Sequence, residues 1–318
     1  MRDTVLVLGA NGRIGRALVD AFAAAGWRVR AQMRREPGYT LPAGVSPVIC
    51  DALDTAALIE AARGADVLVN ALNPDYTRWR ELVPPLAASV LAVARASGAT
   101  LMLPGNVYNF GAELPSLLTE TTPQVAHTER GQIRIALEQQ MRDAAADGVR
   151  SIVIRAGDFF GGGPGSWFDL VIAKDIAKGR VTLPGPADVP HAWAFLPDLA
   201  QVFVAVAARR AELAPFETLH FAGETLTGAQ LHEALQQVCG RPLKRGQLPW
   251  WLLRLASPVV PIFRALAEMR YLWLRPHRLD DTRLRRLIGE PPHTPLSRAL
   301  AASLASIHSD AVVTAVAA

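Results

Sequence analysis

The chain has 318 residues, half of them hydrophobic and 19% charged. That balance excludes a disordered protein and leaves room for one large α/β domain with an appendage, or for two domains. Net charge is +4, yet no aromatic–basic interleaving or zinc spacing accompanies the arginines near Arg264, Arg270, Arg275, Arg278, Arg283, Arg285 and Arg286. They read as a solvated helix face, and no nucleic acid is expected. No apolar run reaches membrane-spanning length. The most lipid-like stretch, Leu248 to Trp273, is broken by Arg254, Arg264, Glu268 and Arg270. It reads as a greasy helical cap rather than a membrane or partner surface, and no membrane partner is expected. The chain enters its first strand without a basic or cleavable leader. Cys50 and Cys239 lie far apart and read as small buried residues in a reducing compartment, with a cytoplasmic location expected.

Elements follow in order. The apolar run Thr4–Leu8 predicts a buried strand, and a helix should run from about Arg13 to Ala25. Val29–Met33 and Val45–Cys50 predict the second and third strands, with a helix over Thr55–Arg63. Asp66–Asn70 predicts a fourth strand, a long helix spans Trp79 to Ser97, and Thr100–Leu103 is a fifth strand. A helix over Gln132–Asp147 leads to a sixth strand, Ser151–Arg155. Short apolar runs separated by helices predict an α/β fold with a doubly wound parallel sheet. Beyond Arg155 the pattern loosens. Gly161 to Gly165 forms a turning loop without the Gly-Lys-Ser/Thr ending of a phosphate-binding Walker loop. Asp198–Arg209 predicts a helix returning to the sheet, and Leu219–Phe221 one more strand. From Thr227 the reading is mostly helical, punctuated by Pro249, Pro258 and Pro261.

Between the first strand and first helix stands Gly9-Ala10-Asn11-Gly12-Arg13-Ile14-Gly15. Glycine permits positive φ and a close approach of backbone to ligand. Free amides and the helix dipole suit the following helix start to a pyrophosphate. The residue that would hold a ribose 2′-hydroxyl, at the end of the second strand, is Met33 rather than a carboxylate. Arg34 and Arg35 follow it. Guanidinium groups suit a 2′-phosphate, which favours NADP(H) over NAD(H) with Arg34 as the contact. The alternative is that both arginines are ordinary surface charges.

The glycine turn, Asp51, Asn70-Ala71-Leu72-Asn73, Val107-Tyr108, Arg155 and Leu196-Pro197-Asp198-Leu199-Ala200 together resemble the extended short-chain dehydrogenase/reductases of the NAD-dependent epimerase/dehydratase type. The resemblance spans essentially the whole length, dense to about Gly161 and again near Asp198, thin after Thr227. Pro292-His293-Thr294-Pro295-Leu296 also resembles a Thr-Pro-Leu helix start common near the end of such chains. The resemblance implies a Rossmann domain over residues 1–165, with 190–220 returning to it. A smaller, mostly helical lobe over 166–189 and 221–318 would cover the substrate. It implies that Gly9, Gly12 and Gly15 line the pyrophosphate, with Asn11, Arg13 and Ile14 adding main-chain contacts. Asp51 would accept from the adenine amino group, or else serve as a turn aspartate. Ala71 and Leu72 would pass beside the adenosine ribose. A homodimer face would fall on the helices near Trp79–Ser97 and Gln132–Asp147.

Redox members of that family use a Ser/Thr with Tyr-x-x-x-Lys, the lysine lowering the tyrosine pKa. This chain departs from the pattern. Anchored on Val107-Tyr108, the Ser/Thr position falls near Pro104. Anchored on the helix containing Glu138, the lysine position is Arg134 and the tyrosine position Arg130. Anchored on Thr122-Pro123-Gln124, the tyrosine position is His127. An arginine such as Arg134 can hold a ribose or phosphate, but it is a poor base near neutral pH. Replacement catalytic groups are Tyr108, His127 and Asp158, each with a plain alternative as a packed aromatic, a loop histidine and a turn residue. The seven histidines form no metal-ligand spacing, so no metal is expected, and no Gly-x-Ser-x-Gly elbow is present. The function expected is an NADP-dependent oxidoreductase or epimerase acting on a small carbonyl or sugar-like substrate. The alternative is a non-catalytic dinucleotide-sensing regulator, as in family groups that also lack the full triad.

Overall fold

The computed structural model describes residues 2–316, with side-chain surroundings for residues 2–307. Residues 317–318 of the expected lobe and the side chain of His308 lie outside the described residues. The first half runs β1 (Thr4–Leu8), α1 (Arg13–Ala24), β2 (Arg28–Met33), β3 (Ser46–Ile49), α2 (Thr55–Ala62), β4 (Val67–Asn70), α3 (Trp79–Ser97) and β5 (Thr100–Gly105). Next come β6 (Leu117–Leu118), α4 (Glu129–Asp143), β7 (Ser151–Ala156), β8 (Asp158–Phe160), β9 (Arg180–Leu183), β10 (Pro190–Phe195), α5 (Leu196–Ala208) and β11 (Phe216–Phe221). The chain continues through β12 (Glu224–Thr227), α6 (Gly228–Cys239), β13 (Lys244–Gln247), α7 (Trp250–Ala256), α8 (Pro261–Glu268), β14 (Arg278–Leu279), α9 (Thr282–Ile288) and α10 (Leu296–Val316).

Seven strands form one parallel sheet in the order β11-β7-β5-β4-β1-β2-β3. Side chains alternate between its faces. Val5 and Val7 join Leu18, Val19 and Phe22 of α1 and Leu199, Val202 and Phe203 of α5. Leu6 and Leu8 point the other way, toward Leu58 of α2, Val90 and Val93 of α3, and Leu137 and Met141 of α4. A strand apolar on both faces is what a parallel sheet covered on both sides demands. In α1 the stripe Gly15, Leu18, Val19 and Phe22 has the i, i+3, i+4, i+7 spacing of an amphipathic helix. The direction of winding reverses between β1 and β4. A crevice opens there at the carboxyl ends of the strands, where such sheets hold ligands.

Four expectations shift in detail. Helix α4 starts at Glu129 rather than Gln132, because the Thr128 hydroxyl accepts from the Gly131 amide at 3.2 Å and caps it. Beyond the main sheet the chain also forms the pairs β9–β13 and β6–β14 and the set β12-β10-β8, short strands lost among glycines and prolines in the sequence. Both cysteines are free and half-buried rather than buried. Leu248–Trp273 divides in two: Trp250, Ala265, Met269, Leu272 and Trp273 turn inward as a cap should, whereas Trp251, Leu252, Leu255 and Val259 are exposed.

Two buried carboxylates fix how the pieces meet. Asp198, at the start of α5, accepts from the amide and the hydroxyl of Thr294, each at 2.7 Å. That ties the Leu-Pro-Asp-Leu-Ala and Thr-Pro-Leu segments together. Glu138 of α4 is ion-paired with Arg155 of β7, both essentially inaccessible to water. Asn109 donates to Glu138 at 2.9 Å, and Arg155 approaches Nε2 of His220 at 3.4 Å. His220 Nδ1 lies 3.2 Å from the Leu118 carbonyl, so Nδ1 donates and Nε2 accepts. Burial, reinforced by the Arg155 charge, pushes His220 down to about 4.

A histidine held neutral in the fold stabilises fully above its unfolded value near 6.5. That contribution is lost as pH falls from there toward the folded value, because the unfolded chain then takes up the proton. Urea denaturation should therefore show unfolding free energy falling between about pH 6.5 and about pH 4. The His220 contribution is on the order of 3 kcal/mol. A His220→Gln variant should have a flatter profile over that interval; an unchanged slope would contradict the assignment.

Candidate active site

The strand ends converge on the crevice. Gly9 adopts φ +74°, and a Cβ there would stand 2.9 Å from the Ala71 carbonyl oxygen after β4. Gly15 lies closer still: its Cβ would come within 2.2 Å of the Gly9 oxygen. Gly12 caps α1 without a side-chain acceptor. Among the described residues the amides of Asn11, Arg13, Ile14 and Gly15 have no protein acceptor. The buried Gln32 braces the turn from below, accepting from the Gly9 amide at 2.9 Å and donating to the Cys50 carbonyl at 2.7 Å. This cradle, with unpaired amides and a helix N-terminus, fits the pyrophosphate of a dinucleotide.

Other predicted contacts are placed more unevenly. Ile14 packs its side chain into the core, leaving only its backbone for a ligand. The Asn11 side chain donates to the Arg35 carbonyl at 3.3 Å, holding the Arg34–Arg35 segment beside the turn. Arg34 itself is exposed. Asp51 is exposed and accepts from the Leu53 amide at 2.9 Å, the geometry of a turn aspartate. Leu72 is half-buried, with its amide donated to the Asn70 side chain at 3.2 Å. The Arg13 guanidinium reaches away from the turn to the carbonyls of Gly163 and Gly161, at 2.9 and 2.7 Å. Burial lowers its pKa, with Asp169 opposing. The Gly161–Gly165 loop is thereby latched over the start of α1.

Arg134 lies over the Trp79 ring at 4.8 Å and lines a pocket with Asn70, Leu72, Leu103 and Leu137. Its Nε is buried with no partner among the described residues, and burial lowers its pKa, with Tyr108 and Glu138 opposing. Arg130 has a different task. It pairs with Glu268 at 2.6 Å and donates to the Tyr76 carbonyl at 2.9 Å, tying α4 to α8.

Tyr108 sits beside Trp79, their ring centres 6.4 Å apart. Its phenol is pushed well up, first by burial and then by Tyr76 and Asp158, with Arg134 opposing. Such a phenol keeps its proton and donates hydrogen bonds. Asp158, at the start of β8, faces His191 of β10 across 2.9 Å. The other ring nitrogen of His191 lies 3.2 Å from the Leu272 carbonyl, so Nδ1 donates. A neutral ring would then turn a lone pair toward a carboxylate, two acceptors face to face, and the contact calls for a proton between them. The His191 ring stacks flat on Trp273 at 4.0 Å. His277 meets it edge-on at 4.6 Å.

His277 donates through Nδ1 to the Arg275 carbonyl at 3.0 Å, and its buried Nε2 has no partner among the described residues. Burial and neighbouring His191 push it down to about 3, so it stays neutral and offers a bare acceptor. The Tyr271 hydroxyl is likewise buried and unpartnered among the described residues.

His127 is exposed and makes no hydrogen bond or ion pair among the described residues. Tyr108, Asp158 and Arg134 are thus brought together, and His127 is not. His191, His277, Tyr76 and Tyr271 were missed. His191 carried a readable signal: His191, Trp193 and Phe195 alternate with two alanines at period two, the pattern of a half-buried strand. Among the described residues no group of three His, Cys, Asp or Glu side chains could hold a metal ion.

The fold and the glycine cradle are those of a Rossmann dinucleotide-binding protein. Residues 5–220 match the NAD dependent epimerase/dehydratase family, and the chain belongs to that family. A 3-diazoavenalumate denitrifying reductase from Streptomyces sp is 29% identical over 197 residues, covering 57% of this chain and 64% of that protein. A ceramide reductase from Caulobacter vibrioides is 34% identical over 122 residues, covering 36% of this chain and 38% of that protein. The chain thus aligns with less than two thirds of either relative. The structure of MoeE5 in complex with UDP-glucose and NAD superposes with a TM-score of 0.76 at 16% identity, over 97% of this chain and 99% of that one. At that identity the likeness is one of fold.

Gly15→Ala would drive a methyl group against the Gly9 carbonyl, and α1 would have to retreat from the turn. Calorimetric titration with NADPH should show affinity reduced by roughly tenfold or more. Unchanged affinity in a folded variant would place the dinucleotide elsewhere.

Proposed function

We propose that the protein is an NADP(H)-dependent oxidoreductase acting on a small carbonyl or sugar-like substrate. The observation that carries this reading is the buried Tyr108 phenol with the hydrogen-bonded Asp158–His191 pair, in a fold whose glycine cradle has unpaired amides. A bound nicotinamide supplies hydride chemistry, and the protein supplies binding, orientation and the proton. Asn11, Arg13, Ile14 and Gly15 hold the diphosphate through backbone amides, and Gly9 and Gly12 let it approach. Ala71 and Leu72 line the ribose side, and Arg134 takes a ribose or phosphate oxygen in place of the family lysine. Asp51 borders the adenine. The names of the two reductase relatives agree with reduction as the working direction. The segments 166–189 and 221–318 form the lobe that covers the substrate.

Tyr108 is the residue that donates to the substrate oxygen. Because its phenol is pushed up, it holds the oxygen and does not serve as a resting base. The proton comes from the Asp158–His191 pair, whose ring is fixed by the Leu272 carbonyl and shielded from water by Trp273. His277 Nε2 accepts from a hydroxyl or amide of the substrate. In a panel of carbonyl substrates followed by loss of nicotinamide absorbance, Tyr108→Phe and Asp158→Asn should each lower kcat by roughly a hundredfold. His127→Ala should leave it unchanged. Inertness across the panel with tight NADPH binding would move the reading to a dinucleotide sensor.

Preference for the 2′-phosphate rests on Arg34 and Arg35, held at the rim by Asn11, and on the absence of a carboxylate at Met33. Arg34→Glu should weaken NADPH binding by roughly tenfold or more while sparing NADH, since a carboxylate repels the phosphate and suits a free 2′-hydroxyl. Equal loss of both cofactors, or of neither, would contradict the assignment.

A further inference from the structure

The hairpin built from α7, the Ser257–Val260 turn and α8 is held tightly from inside and bare outside. Trp250 donates through its indole to the Pro184 carbonyl at 2.6 Å and packs on Trp167. At the far end Glu268 is anchored by the buried Arg130. Between these anchors large apolar side chains face outward: Trp251 is 67% exposed, Leu252 44%, Leu255 73% and Val259 80%. Trp251 and Leu255 stand one helical turn apart on α7, so they share a face. Pro258 in the connecting turn and Pro261 at the start of α8 are exposed. Isolated surface leucines are ordinary, but a contiguous apolar patch of this kind marks an interaction site.

Charge identifies the partner. Residues 234–267 contain five basic side chains, Arg241, Lys244, Arg245, Arg254 and Arg264, and no acidic one. Arg254 and Arg264 are exposed on the two helices of the hairpin, and Lys244 and Arg245 are exposed on β13 just before it. A second copy of the chain fits poorly, because a two-fold contact would set Arg254 and its basic neighbours against themselves. Tryptophan and aliphatic side chains at the tip, with arginine and lysine at the shoulders, are what an anionic lipid surface takes up.

We infer that this hairpin docks the protein peripherally on membranes containing anionic lipid, Trp251, Leu255 and Val259 entering the interface and the basic residues meeting the head groups. No helix among the described residues is long and apolar enough to cross a membrane, so the contact is one of surface binding. It stands apart from the reaction proposed above and fails or holds independently of it. The test is sedimentation of the full chain with phosphatidylcholine vesicles carrying or lacking phosphatidylglycerol, at low and high salt. The protein should pellet with the anionic vesicles at low salt and be released at high salt. The double substitution W251S/L255S should cut the bound fraction by roughly tenfold, and R254E should weaken binding at low salt. Both variants should keep the wild-type far-ultraviolet circular dichroism, since all three positions are exposed. Wild-type protein left in the supernatant at low salt would overturn the proposal. So would full binding by W251S/L255S. A concentration-dependent dimer in sedimentation velocity that W251S/L255S dissolves would overturn it in favour of a contact between copies.

Discussion

Helix α1 begins hard against the turn that precedes it, with no atom to spare between Gly15 and the Gly9 carbonyl. That contact orients the first turn of the helix over the end of β1, where the amides of Arg13, Ile14 and Gly15 have no protein acceptor. Unpaired amides at a helix start are costly unless water or an anion takes them up. The rest of the crevice is arranged about this point. Gln32 holds the turn from beneath, the Ala71 carbonyl closes one side, and Arg13 draws the Gly161–Gly165 loop over the top.

The reactive end of the crevice depends on a second constraint, burial of charge. Arg155 and Glu138 are both removed from water, and breaking such a pair typically costs about 3–5 kcal/mol because it leaves one charge alone. Through Asn109 the pair also fixes the loop that carries Tyr108. Through β7 it fixes the departure point of Asp158. Position and proton inventory are therefore linked: the groups that set the loops keep His220 neutral, and the Leu272 carbonyl sets which nitrogen of His191 faces Asp158.

The sheet was legible because its signal is dense. β1, β4 and β7 are apolar on both faces and flanked by helices with a single buried stripe, and the glycine turn sits between a strand and a helix. The seventh strand was read only at Leu219–Phe221, because Phe216 to Thr218 mixes an aromatic with polar groups. The lobe was less legible. β9 and β13 have four residues each, pair across a long stretch of chain, and are set among prolines and glycines. The site divides in the same way. Tyr108, Asp158 and Arg134 follow directly after strands or lie on a predicted helix, where chemistry faces the crevice by construction. His277 and Tyr271 come from the expected lobe and His191 from β10, and only the fold brings them to Asp158. His127 has the right chemistry in the sequence but lies on an exposed loop, and nothing local distinguished it from a catalytic group.

The central claim is that backbone amides at the start of α1 grip the diphosphate of a nicotinamide dinucleotide. Amide hydrogen exchange resolved to the segment from Gly9 to Arg16, with and without NADPH, tests it most directly. The account predicts that exchange at Asn11, Arg13, Ile14 and Gly15 slows sharply on addition of NADPH, while the outer face of α7 does not change. Unaltered exchange in that segment at saturating NADPH would contradict it.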